Sequence, residues 1–278
     1  FDLVFVLAIT QCTALMATAA DAAGVARGLL VLAVLWWAWV GYSWLTSVVD
    51  PEEGMVRIVM FGAMAGLLVA SLAVPEAFDA EALLFVAAYA MVRAGQIALF
   101  WIADRDDPNL RRSIAGLGVS SAIGVTLLFC AAFLDGVAQG ALWGLAILLD
   151  FGGPFVFGSE GWRLAPRHFA ERHGLIVIIA LGESIVAIGL GAGSVVDSGI
   201  VVGAVLGIVV AAGLWWLYFD VSAIAAERRL SAAPVGKEQN ELARDAYSYL
   251  HFVLVAGIVL VALGLKKTLA HVGDELDL

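Results

Sequence analysis

The chain alternates between long apolar runs and short polar connections. A run such as LLVLAVLWWAWVGYSWL is continuously apolar, whereas the connections hold clusters such as DPEEG, VPEAFDAE and ADRDDPNLRR. A helix needs about 20 apolar residues to cross a bilayer, whereas the strands of a membrane barrel alternate apolar and polar positions. The pattern therefore predicts membrane-spanning helices.

Nine such spans are predicted along the sequence. They cover residues 1–20, 28–48, 55–74, 82–103, 112–134, 137–157, 174–193, 199–219 and 246–265. The one long polar connection, 220–245, has room for a short surface helix. We therefore predict an all-α integral membrane protein, a polytopic bundle that forms a single transmembrane domain over residues 1–278.

The composition supports a membrane protein and limits the kinds of partner that the protein is expected to bind. Hydrophobic residues make up 62% of the chain and charged residues 14%, whereas a soluble domain has roughly 25% charged residues. The formal net charge of −10 argues against nucleic acid, which is itself polyanionic. The expected partners are the lipid bilayer and an unidentified small molecule or ion, and no cofactor is predicted. The oligomeric state is left open.

The basic residues predict the orientation of the bundle, because cytoplasmic loops of membrane proteins are enriched in Lys and Arg. The loops after even-numbered spans hold Arg57, Arg105, Arg111, Arg112, Arg163, Arg167, Arg172, Arg228, Arg229, Lys237 and Arg244. The loops after odd-numbered spans hold only Arg27, Lys266 and Lys267. The N-terminus and the even-numbered loops are therefore expected on the cytoplasmic side of a bacterial inner membrane.

The first and seventh spans are similar to each other. Placing LVFVLAITQ (3–11) over LIVIIALGE (175–183) aligns Gln11 with Glu183. A true repeat would have units 1–157 and 168–278, the second incomplete, and would imply further spans beyond the chain given. Chance similarity is the alternative, since apolar helices resemble one another.

Three segments carry a resemblance to a known family. FDLVFVLAITQ at 1–11, HFAERHGLIVIIALGESIVAIG at 168–189 and WWLYFD at 215–220 together resemble the bacterial low-temperature-requirement A family, over nearly the whole chain. The resemblance implies a multi-pass bacterial membrane protein with more spans than the nine seen here. The family is named after a growth phenotype in the cold and supplies no substrate or reaction, so the residues must be interpreted on their own.

Several polar residues lie inside the predicted spans, where an ionisable group costs at least ~2.5 kcal/mol unless it is paired or hydrated. The candidates for a substrate or proton site are Glu183, Arg93, Asp150, Gln96, Gln11 and His251. The alternative is a purely structural salt bridge between Arg93 and one acid. In either case we predict that Arg93 lies within salt-bridge reach of Glu183 or Asp150, because an unpaired guanidinium is too costly at this depth.

A second polar group marks the cytoplasmic ends of three spans. It consists of His168, Glu171, Arg172, His173, Asp2 and Asp220. His168 and His173 are five residues apart, whereas two zinc ligands on one helix face need a spacing of four. No metal site is therefore predicted, and these residues are expected near the lipid headgroups. Trp215, Trp216 and Tyr218 are expected to form part of an interfacial aromatic belt.

These patterns leave three functions open. A secondary transporter or permease-like protein, with a buried polar site that includes Glu183, is favoured. An intramembrane enzyme acting on a lipid or a lipid-linked substrate would instead need His168, Glu171 and His173 clustered at one leaflet. A structural or stress-related membrane protein would show a dry core whose polar groups are all paired.

Overall fold

The computed structural model describes residues 2–19, 21–49, 52–103, 108–158, 161–191 and 197–271. These ranges hold nine helices and no β-strand. The helices are α1 (Asp2–Thr18), α2 (Ala22–Leu45), α3 (Gly54–Ala73), α4 (Ala82–Ala103), α5 (Pro108–Ala131), α6 (Gly136–Phe157), α7 (Pro166–Gly191), α8 (Ser198–Ala232) and α9 (Lys237–Ala270). The protein is therefore an all-α polytopic membrane protein, as predicted.

Eight of the nine described helices are long and apolar enough to span a membrane, whereas α1 has only 17 residues. The largest difference from the prediction concerns residues 220–245, which form a non-helical connection only at 233–236. They continue α8 and begin α9, so these helices reach 35 and 34 residues. At 1.5 Å per residue each is about 50 Å long and exceeds the ~30 Å hydrocarbon core. The two helices therefore project beyond the bilayer at one end.

Helix α2 forms the centre of the bundle. It contacts α1, α4, α6, α7 and α9, and nearly every side chain from Val31 to Ser43 is buried. The indole N–H of Trp36 donates to the Ser248 carbonyl at 2.8 Å, and that of Trp44 donates to the Ser248 hydroxyl at 3.0 Å. An indole is easily buried when its single donor finds an acceptor, so these bonds hold α2 against α9.

Two short π-helical segments interrupt the long helices. Leu217–Ser222 lies within α8 and Arg244–Leu250 lies within α9. Such segments are rare and frequently accompany functional sites. Each carries a buried tyrosine, Tyr218 and Tyr247 respectively, and both tyrosine rings contact His251.

The sequence GGP at 152–154 does not break α6. The helix continues from Gly136 to Phe157 with Pro154 inside it. Proline has no backbone N–H, so the carbonyl four residues earlier, at Asp150, loses its usual helical donor. The next carbonyl, of Phe151, gains an external donor from the Tyr249 hydroxyl at 2.5 Å.

Candidate functional site

A buried ion pair joins α4 to α6. Nη2 of Arg93 lies 3.3 Å from Oδ1 of Asp150, and both side chains are almost completely buried. This contact confirms the predicted pairing of Arg93 with an acid. Nη1 of Arg93 also donates to Gln96 at 2.6 Å, and Nη2 donates to the Ser121 hydroxyl.

Asp150 is held by hydroxyl groups as well as by Arg93. Ser120 and Ser121 donate to Oδ1 at 3.1 and 3.2 Å, and Tyr89 donates to Oδ2 at 3.3 Å. These donors partly replace the water that the carboxylate loses on burial. The two serines were not identified from the sequence, since serine is common in membrane helices and only the packing of α5 against α6 brings them to Asp150.

Two glycines allow the helices to approach at this site. A Cβ at Gly41 would lie 2.0 Å from the amide of Gln96, and a Cβ at Gly153 would lie 2.8 Å from the Ser120 hydroxyl. Small residues commonly permit such close contacts in membrane bundles.

Two cavities adjoin the ion pair. The large cavity, of about 70 Å³, is lined among others by Trp37, Gly41, Arg93, Gln96, Arg244 and Ser248. The small cavity, of about 10 Å³, is lined among others by Val34, Trp37, Tyr89, Leu128 and Asp150. Arg93 therefore lines one cavity, Asp150 lines the other, and Trp37 lines both.

The large cavity lies at one end of the bundle, which we call the basic end. Its lining includes Trp44 from the end of α2, Phe100 from the end of α4, Phe157 from the end of α6 and Arg244 from the beginning of α9. These helix ends adjoin the loops that carry most of the basic residues. If the predicted orientation holds, the large cavity faces the cytoplasm.

Glu183 lies at a different interface, between α7 and α1. Its carboxylate accepts a hydrogen bond from Thr10 at 2.6 Å, and the residue is 4% exposed. Among the described residues it forms no ion pair, and it lines neither of the two cavities. The burial of Glu183 agrees with its predicted depth, but the structure does not bring it into contact with Arg93 or Asp150.

The remaining members of the predicted substrate or proton site are also dispersed. Gln96 belongs to the Arg93 cluster, whereas Gln11 lies half-buried on α1, one residue after Thr10. His251 lies on α9, where its Nε2 accepts from the Tyr218 hydroxyl at 2.8 Å and its Nδ1 donates to the Ala246 carbonyl at 2.8 Å.

Tyr218 is thus buried and does not belong to the expected aromatic belt. Trp215 and Trp216 are exposed on the outer face of α8.

The helix-end group divides into a half that is buried or partly buried and an exposed half. Arg172 donates to Asp2 at 2.8 Å and to Thr46 at 2.5 Å, and the indole of Trp39 donates to the same Asp2 carboxylate at 2.8 Å. The guanidinium also lies 5.8 Å from the centre of the Trp39 ring, within the range of a cation–π contact. Asp2 and Arg172 thus tie together the ends of α1, α2 and α7.

His173 is completely buried within a cluster of rings. The rings of Trp39, Phe169, Tyr247 and His251 lie 4.5–5.2 Å from its own. Its Nδ1 donates to the Phe169 carbonyl at 2.8 Å, so its Nε2 is the unprotonated nitrogen and has no partner among the described residues. His173 is therefore enclosed within the bundle and is not exposed on its surface.

The other three helix-end residues are exposed. His168 and Glu171 lie on the outer side of α7, where Glu171 pairs with Arg167 at 3.0 Å, and Asp220 lies on the outer side of α8. His168, Glu171 and buried His173 do not form one cluster. The arrangement required for the enzyme alternative is therefore not formed. The described residues also hold no group of three or more side chains suited to a metal ion.

The two arginine pairs of α7 provide a direct comparison of stability. Replacement of Arg172 by Leu is expected to lower the free energy of unfolding by about 2–3 kcal/mol, because Asp2 and Thr46 lose a largely buried charged donor. Replacement of Arg167 by Leu is the control, since its side chain is 83% exposed and such pairs contribute about 0.5 kcal/mol. Unfolding in mixed detergent micelles measures both, and equal effects would contradict a structural role for the Arg172 contacts.

Comparison with known proteins agrees with the resemblance seen in the sequence. The family model described as bacterial low temperature requirement A protein (LtrA) matches residues 1–277. An uncharacterized protein of Rhizobium meliloti (strain 1021) is 30% identical over 287 residues, which cover 98% of this chain and 68% of that protein. No solved structure matches significantly. The chain therefore belongs to the bacterial low temperature requirement A family of multi-pass membrane proteins.

Proposed function

We propose that this protein is a secondary carrier of the bacterial inner membrane, in which the Arg93–Asp150 pair closes the path between two cavities. The observation that carries this proposal is the position of the pair, with Arg93 lining the large cavity and Asp150 lining the small one. A pair that only tied helices together would need no cavity on either side.

The energetics of the pair suit a gate. Its two charges attract strongly in a low-dielectric interior, but much of that attraction is offset by the loss of hydration. Arg93 can therefore exchange Asp150 for a charged solute without a large net change in free energy, provided that Asp150 gains a proton when it loses its cation. Arg93, with Gln96 and Ser121 as further partners, keeps hydrogen bonds when Asp150 is released.

Glu183 is proposed as the acid that couples transport to protons. It is a buried carboxylate held by the Thr10 hydroxyl and, among the described residues, it has no ion pair. Lys266 on α9 also interacts electrostatically with Glu183, but it does not lie within ion-pair distance. The carboxyl group can therefore gain or lose a proton without breaking a salt bridge. Its position on α7, against α1, allows it to affect how these helices pack.

Accessibility of cysteines on α5 tests the carrier proposal. Three variants are made in a chain whose native Cys12 (buried) and Cys130 (exposed) are replaced by Ser. Leu117→Cys lines the large cavity, Leu128→Cys lines the small cavity, and Val119→Cys is a control on the outer surface of the same helix. Each is treated with a membrane-impermeant maleimide from either side of oriented vesicles.

We expect Leu117→Cys to react from the cytoplasmic side and Leu128→Cys to be protected from that side. Adding Asp150→Asn opens the gate and should raise the reaction of Leu128→Cys with cytoplasmic reagent about tenfold. If Leu117→Cys is as unreactive as Val119→Cys, and Asp150→Asn changes nothing, the core is dry and the structural role is correct. The side from which Leu117→Cys reacts also tests the predicted orientation.

A further inference from the structure

The charges that line the large cavity are of one sign. Arg93 lies at its inner end and Arg244 lies near the beginning of α9, and no Asp or Glu is found among its described lining residues. Among the described residues Arg244 has one carboxylate partner, Asp245; the arginine side chain is 12% exposed and that of Asp245 is 54% exposed. Because Asp245 is largely hydrated, water screens its attraction for Arg244, and the guanidinium can also attract an anion. The cavity is therefore electrostatically suited to a negative solute.

Two buried donors at the cavity have no partner among the described residues. They are Nε of Arg93 and the indole nitrogen of Trp37, which lie on residues 1% and 5% exposed. A buried N–H without an acceptor costs about 1–3 kcal/mol. Both residues line the large cavity, although neither nitrogen is itself exposed to it. A solute with acceptor oxygens would recover this free energy once a small side-chain movement brings the nitrogens within its reach.

The walls between the two arginines are mainly aromatic and aliphatic. They include Trp44, Phe100, Leu117, Phe157 and Trp162. Such walls favour a solute with an apolar body and would gain nothing from a fully hydrated inorganic ion. A carboxylate suits the guanidinium in particular, because the two planar groups can form paired hydrogen bonds.

The volume limits the size of the solute. A site for one water needs roughly 10–15 Å³, so a cavity of about 70 Å³ accommodates about five to seven groups of that size. Butyrate, with a carboxylate and a three-carbon tail, falls in this range.

From these observations we propose that the large cavity binds a small organic monocarboxylate, with its carboxylate at Arg93 and Trp37 and its apolar tail against the aromatic walls. This inference rests on the proposed carrier function and names the substrate class of its site. Arg244 at the basic end attracts the anion, and Arg93 exchanges Asp150 for the carboxylate of the solute.

Calorimetric titration of the purified protein tests the substrate class with butyrate, 1-butanol, butylammonium and chloride. These probes separate the carboxylate from the apolar tail, from a cation and from an inorganic anion. We expect saturable binding of butyrate alone. Comparable binding of butanol or butylammonium would overturn the proposal, and displacement of butyrate by equal concentrations of chloride would show an inorganic anion site.

Variants of the cavity locate the binding. Leu117→Phe fills the cavity without changing a charge, and it should weaken butyrate binding at least tenfold. Arg244→Gln should weaken it about tenfold, whereas Arg229→Gln makes the same change of charge on the exposed side of α8 and should have no effect. Unchanged binding in Leu117→Phe, with correct folding shown by thermal unfolding, would place the butyrate site elsewhere.

The result of the butyrate titration can be distinguished from the result of the cysteine test of the carrier proposal. Cysteine accessibility on α5 requires no solute, so a gate that opens with Asp150→Asn supports a carrier whether or not butyrate binds. Failure of butyrate to bind a protein whose gate does open rejects the monocarboxylate alone.

Discussion

Replacement of Arg93 by Met is expected to destabilise the protein by about 3–5 kcal/mol. The change leaves Asp150 as a buried charge without its cation, and removal of one partner from a buried pair has effects of this size. The serine and tyrosine hydroxyls that donate to Asp150 compensate only in part. Unfolding in mixed detergent micelles, or the midpoint of thermal unfolding in detergent, measures the loss.

The double variant Arg93→Met/Asp150→Leu separates the charge from the packing. It removes both charges, and replacement of a whole buried pair by apolar residues is often neutral or stabilising. We therefore expect it to recover most of the stability lost in Arg93→Met. A double variant as unstable as the single variant would show that the pair is needed for the fold, which would weaken its assignment as a gate.

Replacement of Glu183 by Gln is expected to abolish proton-driven uptake while the protein stays folded. Glutamine keeps the oxygen that accepts from Thr10 and leaves no cation unpaired, so the free energy of unfolding should change by less than about 1 kcal/mol. Uptake of labelled pyruvate into vesicles under an acid-outside gradient measures the effect, because this carboxylate stays charged and crosses bare lipid slowly. Uptake should fall to the level of protein-free vesicles.

The control for this variant lies on the same helix. Glu171→Gln makes the same chemical change at an exposed position and should leave uptake unaltered. Should Glu183→Gln transport pyruvate with unchanged pH dependence, the glutamate is a structural hydrogen-bonding group. A wild-type protein that takes up no pyruvate would count against the monocarboxylate and leave the assignment of Glu183 to be measured with another solute.

Hydropathy predicted the helices well because each span must be apolar along its whole length. It could not predict the extension of α8 and α9, since their projecting ends have the polar composition of an ordinary loop. The pairing of Arg93 with an acid was also predictable, because an unpaired guanidinium is costly whichever helices surround it. Which acid it pairs with does depend on the arrangement of the helices. Helix α5 packs against both α4 and α6 and brings Asp150 near Arg93, whereas Glu183 faces α1.

The histidines show a second limit of the sequence. His173 follows Glu171 and Arg172 in a polar segment, which gave no indication that its side chain is enclosed by the bundle. Only one face of α7 is exposed there, and His173 lies on the opposite face. Its burial depends on rings contributed by α2 and α9, and the sequence alone gave no signal for these contacts. Tyr218 was likewise placed with its exposed tryptophan neighbours, because the π segment that turns it inward leaves no mark in composition.

The π segment of α9 also determines the directions in which Arg244 and His251 point from the helix. A π turn holds one residue more than an α turn in the same length, and each residue rotates an α-helix by about 100°. Arg244 at its beginning reaches the large cavity, while His251 directly after it reaches the ring cluster of α7 and α8. A regular α-helix over the same stretch would rotate one of these residues away from its site. The extra residue thus changes the rotation of the side chains about the helix axis, so that one helix contributes residues to both the cavity and the ring cluster.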